Sequence, residues 1–248
     1  MADLAISFFS DSLKMKTSIK VLLPDHVDSS LSTLILLHGM GDDENSWMEN
    51  TSLLRYLSNK QLAVIMPRVD LSYYTNLSSG EKYFDYVSRE LMIKCSQWFP
   101  LKQDREHCFI AGLSMGGYGA LKVALNRSEK FSRCYALSAV TNIVDQWRQH
   151  PERDSWYRSL FVSQDELSNS TNNLFSLVKN WPHSNQKPYI WQTCGQNDAF
   201  SQQNQLFHNL LVQEDFKTTS LSIANEGHTW HFWDQQIQLV INDINNYL

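Results

Sequence analysis

The chain has 248 residues, of which 42% are hydrophobic and 19% charged, and its formal net charge is −5. This length and apolar share predict a sizeable globular core and exclude wholesale disorder. The net acidity, with no cluster of Lys and Arg along the chain, argues against nucleic acid or an anionic membrane surface as the main partner. No apolar run reaches the ~18 residues that a membrane-spanning helix needs.

Two features of the sequence favour a cytoplasmic location. The N-terminus has no basic segment of the kind that begins a signal peptide, because Asp3 comes early and Ser7 and Ser10 interrupt the apolar residues. The cysteines are widely spaced without a C-x-x-C pair, which predicts buried free thiols rather than disulfides or a zinc site. They are Cys95, Cys108, Cys134 and Cys194. Whether the chain forms a homo-oligomer is left open.

Short apolar runs alternate with helical patterns along most of the chain. Leu4–Phe9 and Lys16–Leu23 alternate apolar and polar residues, which predicts an antiparallel hairpin. Further strands are predicted at Thr33–Leu37, Ala63–Met66, His107–Ala111, Arg133–Leu137, Tyr189–Thr193 and Thr219–Ala224. Helices are predicted at Tyr83–Phe99, Tyr118–Ala124, Phe200–Gln213 and Trp230–Tyr247. This order predicts a mostly parallel central sheet with helices on both faces.

One polar stretch, Asn142–His183, interrupts the alternation. It is helical in places and contains large aromatic residues, namely Trp147, Trp156, Phe161 and Trp181. We find no Gly/Ser/Pro linker long enough to divide the chain into domains. The sequence therefore predicts a single domain over residues 1–248, in which residues 142–183 form a small helical, cap-like insertion at the edge of a site.

The residues GLSMG at positions 112–116 have the pattern G-x-S-x-G between a predicted strand and a predicted helix. That context is typical of the sharp, strained turn that exposes the nucleophile of an α/β-hydrolase, here Ser114. The amide of Met115, at the start of the helix, is expected to point toward a developing oxyanion. A plain glycine-rich turn is the alternative, and the partner residues described next weigh against it.

A nucleophilic serine needs a base, and a third group must hold that base. In this fold the acid and then the histidine follow the serine along the chain. Asp198 follows the strand Tyr189–Thr193, and His228 follows the last predicted strand. Both residues should therefore lie at the carboxyl ends of strands, as Ser114 does. An N-terminal helix cap is the alternative role for Asp198.

The residues HGMG at positions 38–41 end the third predicted strand. We expect the amide of Met40 to be the second oxyanion donor, with Gly41 as the next candidate. His38 is interpreted as a packed turn residue rather than a base, because it precedes the nucleophile. His228 and His231 are spaced like metal ligands but lack a third ligand, so no metal site is predicted.

Motifs from one end of the chain to the other carry a resemblance to a known family. They are FFS at 8–10, LLHGMG at 36–41, NSW at 45–47, Pro67–Leu71 with Tyr74 and Thr75, Gly80–Phe84, GLSMGGYGA at 112–120, Gly195–Asp198 and GH at 227–228. On these residues the chain resembles the tributyrin esterase group of the esterase D-like family. The resemblance implies an α/β-hydrolase fold, the triad Ser114, Asp198 and His228, and hydrolysis of short-chain acyl esters without a cofactor.

The wider family also includes S-formylglutathione hydrolases and acetyl and feruloyl esterases. A thioesterase and an esterase of carbohydrate esters therefore stay open as alternatives to a carboxylesterase of small acyl esters. A non-catalytic binding protein on the same scaffold is the alternative from another class. For the substrate pocket we expect walls formed by Trp47, Tyr74 and Trp147, since aromatic side chains often line apolar clefts. A place in the core or at the surface is the alternative for these three residues.

Overall fold

The computed structural model describes residues 1–182 and 185–248. Eight strands form one sheet in the order β1-β2-β4-β3-β5-β6-β7-β8. Their bounds are β1 Ala2–Ser10, β2 Met15–Leu23, β3 Ser32–Leu37, β4 Leu62–Pro67, β5 Cys108–Leu113, β6 Arg133–Leu137, β7 Tyr189–Gly195 and β8 Thr218–Ile223. Strand β2 is antiparallel to β1 and to β4, and all other neighbours are parallel. The predicted mostly parallel sheet with an antiparallel N-terminal hairpin is confirmed.

Helices fill the connections between the strands. They are α1 Ser46–Asn50, α2 Leu53–Tyr56, α3 Tyr83–Asp85, α4 Leu91–Trp98, α5 Met115–Asn126, α6 Ile143–Gln149, α7 Asp154–Phe161, α8 Gln164–Asn169, α9 Leu174–Lys179, α10 Ser201–Gln213 and α11 Trp230–Ile244. Short 3-10 turns lie at Arg105–His107, Pro151–Arg153 and Asn245–Tyr247. Within the described residues, no helix is long and apolar enough to cross a membrane.

The continuous helix predicted at Tyr83–Phe99 contains a π-helical segment, Tyr86–Glu90, between α3 and α4. This segment ends at Glu90, whose carboxylate accepts hydrogen bonds from the Ser10 hydroxyl and the Asp11 and Ser12 amides at 2.7 to 2.9 Å. The wider turn thus coincides with a tertiary contact to the hairpin, which the local helical pattern does not encode.

The central strands are buried on both faces of the sheet. Every residue of β3, β4 and β5 is buried, as expected for parallel strands covered by helices. Along β3, Leu34 and Leu36 face a cluster that includes side chains of α1, α2 and α11. Ile35 and Leu37 face the opposite cluster, which includes side chains of α5 and α10. The alternation follows from the two-residue period of a strand.

The segment 142–182 supplies α6 to α9, and polar caps explain why these short helices begin where they do. The side chain of Asn142 accepts the Asp145 amide, Ser163 accepts the Glu166 amide, and Asn173 accepts the first amides of α9. The buried side chains of the segment belong to the same apolar cluster as α5. Residue 183, the last of the predicted insertion, lies outside the described residues.

Candidate active site

Four turns meet at the carboxyl edge of the sheet. They follow β3, β5, β7 and β8, and they carry Met40, Ser114, Asp198 and His228 respectively. The last two turns are joined by a backbone hydrogen bond of 2.9 Å from the Asn197 amide to the Glu226 carbonyl. Parallel strands expose their carboxyl ends on one side, and the topology therefore brings together side chains that are far apart in the sequence.

The structure joins the three predicted residues in one chain of hydrogen bonds. His228 Nε2 lies 3.0 Å from Ser114 Oγ, and His228 Nδ1 lies 2.9 Å from Asp198 Oδ2. Ser114 and Asp198 are 9% and 5% exposed, whereas the His228 side chain is 34% exposed. The arrangement can carry a proton from the hydroxyl to the imidazole while the carboxylate holds the ring.

Ser114 adopts a backbone conformation that L-residues rarely adopt, with φ 53° and ψ −116°. The turn is fixed by the Ser114 amide, which donates to the Leu137 carbonyl at 2.9 Å. Gly116 is required next to it, because a Cβ there would lie 2.5 Å from the Leu37 carbonyl oxygen and 2.6 Å from that of His38. Strain of this kind persists only where surrounding contacts determine the backbone, and it commonly marks functional turns.

Asp198 is held as a carboxylate by hydrogen bonds. Burial by itself raises its pKa, but hydrogen bonds from His228 and from the Phe200 amide outweigh burial and bring the pKa below the ordinary value. The Phe200 amide donates to Asp198 Oδ1 at 2.8 Å, while Oδ2 faces the imidazole. An anionic Asp198 keeps the proton of the imidazole on Nδ1, so that Nε2 is free to accept the serine proton.

Sequence reasoning missed the residues that orient the imidazole. The His228 ring lies edge-on between Phe200 and Trp233, with ring centroids 5.1 and 4.8 Å away and interplanar angles of 87° and 90°. Trp233 is itself fixed by a 3.1 Å hydrogen bond from Nε1 to Ser138 Oγ. No motif signals these positions; their only sequence clue is proximity, since Phe200 follows Asp198 by two residues and Trp233 follows His228 by five.

The turn that carries Met40 lies against the nucleophile, since a Cβ placed on Gly39 would be 3.8 Å from Ser114 Cβ. His38 is 1% exposed, and burial lowers its pKa, which favours the neutral ring. Its Nε2 accepts the Val69 amide at 3.1 Å, so its Nδ1 donates to the Gly39 carbonyl at 2.8 Å. The Gly39 carbonyl and the Met40 amide belong to one planar peptide group, so His38 fixes the direction of that amide.

The other predicted oxyanion donor is the amide of Met115, the residue at which α5 begins. The first amides of a helix have no carbonyl acceptor in a preceding turn, and the helix dipole adds positive potential there. The Met115 side chain is fully buried, whereas that of Met40 is 41% exposed.

The three predicted pocket walls lie in the core instead. Trp47, Tyr74 and Trp147 are each 1% exposed or less, which leaves no surface for a substrate to contact. Each polar atom of these rings has a protein partner: Trp47 Nε1 donates to the Leu37 carbonyl, Tyr74 OH to the His38 carbonyl and Trp147 Nε1 to Asp154 Oδ1. Their size and aromatic character fit a core equally well, so composition could not separate the two roles.

An open cleft lies beside the Met40 turn. Its walls are Met40, Leu71, Arg153 and Trp156. Met40 and Leu71 are 41% and 48% exposed, and Trp156 is half-buried. The cleft therefore joins one of the predicted oxyanion residues with the segment 142–182.

Comparison with known proteins agrees with this geometry. The family model described as "Putative esterase" matches residues 10–238. An acetyl esterase of Caldicellulosiruptor saccharolyticus is 31% identical over 255 residues, which cover 96% of each chain.

Two solved structures from Staphylococcus aureus are similar along almost the whole chain. One is the substrate-bound, fluorophosphonate-binding serine hydrolase FphF, with 31% identity, 98% coverage of both chains and a TM-score of 0.88. The other is the S-formylglutathione hydrolase FrmB, with the same identity and coverage and a TM-score of 0.86. These similarities confirm the predicted α/β-hydrolase fold. The chain belongs to this esterase family and is a serine hydrolase of carboxylic esters.

Proposed function

We propose that the protein is a carboxylesterase that hydrolyses short-chain acyl esters through the triad Ser114, His228 and Asp198. The single observation that carries this proposal is the pair of hydrogen bonds at 3.0 and 2.9 Å that joins the hydroxyl, the imidazole and the buried carboxylate. The strained conformation of Ser114, on a strand-to-helix turn with Gly112 and Gly116 two residues to either side, supports the same role.

In the proposed reaction His228 Nε2 takes the proton of Ser114 while Oγ attacks the ester carbonyl carbon. The resulting imidazolium, stabilised by Asp198, gives its proton to the leaving alcohol oxygen as the C–O bond breaks. Water then repeats the attack on the acyl-enzyme, with His228 again taking and returning the proton, and the acid leaves. The chemistry needs no cofactor.

The amides of Met40 and Met115 are the proposed oxyanion donors. Both belong to backbone that is already fixed: His38 holds the peptide group that contains the Met40 amide, and Met115 begins α5. Donors that are in place before the reaction stabilise the developing charge without reorganisation, and removing one such donor costs about 10²–10³ in kcat.

For the substrate class, we propose short acyl groups of the kind that tributyrin esterases accept. The acetyl esterase relative, similar along the whole chain, supports a short acyl group. The segment 142–182 is proposed to act as the cap that borders the substrate cleft, because Arg153 and Trp156 of this segment face Met40 across that cleft.

A thioesterase resembling S-formylglutathione hydrolase is the second candidate, and its specific support is the 31% identity to FrmB over 98% of the chain. The same triad can serve both reactions, because both proceed through an acyl-enzyme. Rates on p-nitrophenyl acetate and on S-formylglutathione separate the two candidates, and a series of p-nitrophenyl esters from acetate to octanoate defines the acyl limit. The carboxylesterase proposal fails if kcat/KM is higher for S-formylglutathione than for every ester in the series.

Replacement of the nucleophile tests the triad itself. We expect Ser114→Ala to lower kcat/KM by about 10⁴-fold or more, and to abolish labelling by a fluorophosphonate probe, since only the serine oxygen forms the covalent bond. Ser96→Ala, a change on α4 away from the site, is the matched control and should be labelled as the wild type is. Labelling that persists in a folded Ser114→Ala variant would contradict the assignment.

A further inference from the structure

The cleft beside the Met40 turn contains one basic group among apolar walls. Arg153 is exposed at 44% of its side chain, and its Nη1 lies 3.9 Å from Met40 Sδ. Met40 follows Gly39, whose backbone lies beside the nucleophile, since a Cβ placed on Gly39 would be 3.8 Å from Ser114 Cβ. The cleft that Arg153 lines therefore borders the turn that packs beside the nucleophile.

Arg153 differs from the other arginines of the same segment in how it is paired. Arg158 lies 2.7 Å from Asp154, and Arg148 lies 3.5 Å from Asp145. The ion pair described for Arg153 is longer: its Nε lies 3.9 Å from Glu152 Oε1, an oxygen that is 2.9 Å from His150 Nδ1. The carboxylate is thus directed to the histidine, and the guanidinium keeps donors available for a ligand.

The surroundings of Arg153 suit a ligand group with a negative charge. Met40, Leu71 and Trp156 provide apolar walls beside the guanidinium. The guanidinium matches the geometry of a carboxylate through two parallel hydrogen bonds. In a protein with a net charge of −5, such a group also gives an acidic ligand a local point of attraction.

We propose that Arg153 is a specificity residue that binds a carboxylate on the substrate, remote from the scissile bond. The inference rests on the proposed function, because it deepens the substrate class of the same site. The carboxylate has two sources, the far end of the acyl chain or the leaving group, and the cleft offers the same chemistry to both. Acidic esters are then preferred over neutral esters of the same size.

Matched substrate pairs test this inference in two arms. In the acyl arm, p-nitrophenyl monoadipate is compared with p-nitrophenyl hexanoate; in the leaving-group arm, 4-acetoxybenzoate is compared with 4-acetoxybenzamide. The readout is the ratio of kcat/KM between the acidic and the neutral member of each pair. We expect Arg153→Gln to lower this ratio about fivefold to tenfold in at least one arm, as the loss of a partly exposed, charge-assisted pair predicts.

Two further variants give the controls. Arg153→Lys keeps the charge and should restore part of the ratio. Arg148→Gln removes a neighbouring exposed arginine outside the cleft and should leave both ratios within about twofold of the wild type. The arm that responds identifies the position of the carboxylate on the substrate.

An unchanged ratio in both arms for Arg153→Gln, or an equal decrease for Arg148→Gln, overturns the inference. Failure of the proposed function has a different signature, namely that the wild type does not turn over the neutral esters or that their turnover does not depend on Ser114. The two failures are therefore distinguishable in one set of measurements.

Discussion

The nucleophile turn and the segment 142–182 are built in different ways. At the turn, backbone meets backbone: a Cβ on Gly112 would lie 2.3 Å from the Gly116 carbonyl oxygen, and one on Gly116 would lie 2.5 Å from that of Leu37. In the segment, aromatic side chains meet one another. Trp147 stacks on Tyr157 with centroids 5.6 Å apart, and Trp156 lies 4.8 Å from Tyr157.

This difference explains which parts of the protein tolerate change. Contacts between backbones leave no room for a substituent, so a turn of this kind accepts few sequences. Contacts between side chains can be made by many combinations of large apolar residues with similar total volume. The first region therefore suits reaction chemistry that must be held fixed, and the second suits a cleft that selects substrates.

Among the changes that test this difference, Gly116→Ala should have the largest effect on stability and activity. The added Cβ overlaps the carbonyl oxygens of Leu37 and His38, so we expect a loss of about 3 kcal/mol in the free energy of unfolding. A displaced turn should also lower kcat/KM about 100-fold. Urea unfolding and ester hydrolysis measure the two effects. Gly227→Ala, where a Cβ meets nothing within 4 Å, is the control, and equal effects of both changes would contradict the packing argument.

Trp147→Ala tests the other region. Truncating a buried tryptophan that also donates to Asp154 should lower the free energy of unfolding by about 3 kcal/mol. Ser114 should still react with a fluorophosphonate probe below the unfolding transition, because the partners of the Trp147 ring, Asp154, Tyr157 and Phe161, all belong to the segment 142–182. Trp98→Ala, at a position 40% exposed, should have a smaller effect on unfolding. If Trp147→Ala instead abolishes labelling in folded protein, the two regions are not separable.

The two regions are joined through a buried amine, that of Lys122 on α5. Its Nζ donates to the Tyr74 carbonyl at 2.8 Å and to Thr75 Oγ1 at 3.0 Å. Thr75 Oγ1 in turn donates to Asn172 Oδ1 in the segment 142–182 at 2.9 Å. Burial lowers the pKa of Lys122 well below its ordinary value, against the opposing effect of Asp85.

Lys122 should make the free energy of unfolding depend on pH, which tests the connection between the two regions. Between its folded pKa and its ordinary value, the unfolded chain binds a proton that the folded protein does not, so stability rises with pH. We expect the free energy of unfolding of the wild type to rise more steeply from pH 7 to pH 9 than that of Lys122→Met, by up to about 1.4 kcal/mol per pH unit. Urea unfolding at several pH values measures the slopes. Parallel slopes would mean that Lys122 does not titrate differently in the two states.

Much of the fold could be predicted from local patterns. Strand periodicity located all eight strands to within a few residues at each end, because alternation and burial act over short distances. The π segment Tyr86–Glu90 could not be predicted in this way, since Glu90 is held by Ser10 and by the amides of Asp11 and Ser12 in the N-terminal hairpin. A contact between residues that are about 80 positions apart leaves no periodic trace.

The residues of the candidate site likewise fall into those that could be predicted from local sequence and those that could not. The GLSMG turn and the chain order of acid and histidine pointed to Ser114, Asp198 and His228, which the structure brings into contact. The prediction of pocket walls failed for Trp47, Tyr74 and Trp147, which are buried in the core. The same aromatic residue types occur in a core and in a cleft, and only the tertiary packing decides which of the two a given side chain occupies.

The sequence by itself determined the order of the strands and of the long helices α5, α10 and α11, the nucleophile turn and the identity of its candidate partners, because each depends on short-range backbone geometry and on chain order. Only the tertiary structure decided which aromatic side chains hold His228, that His38 orients the Met40 peptide group, and that Arg153 faces the cleft. These contacts join residues brought close by the sheet and its crossovers, so they exist only once the chain has folded.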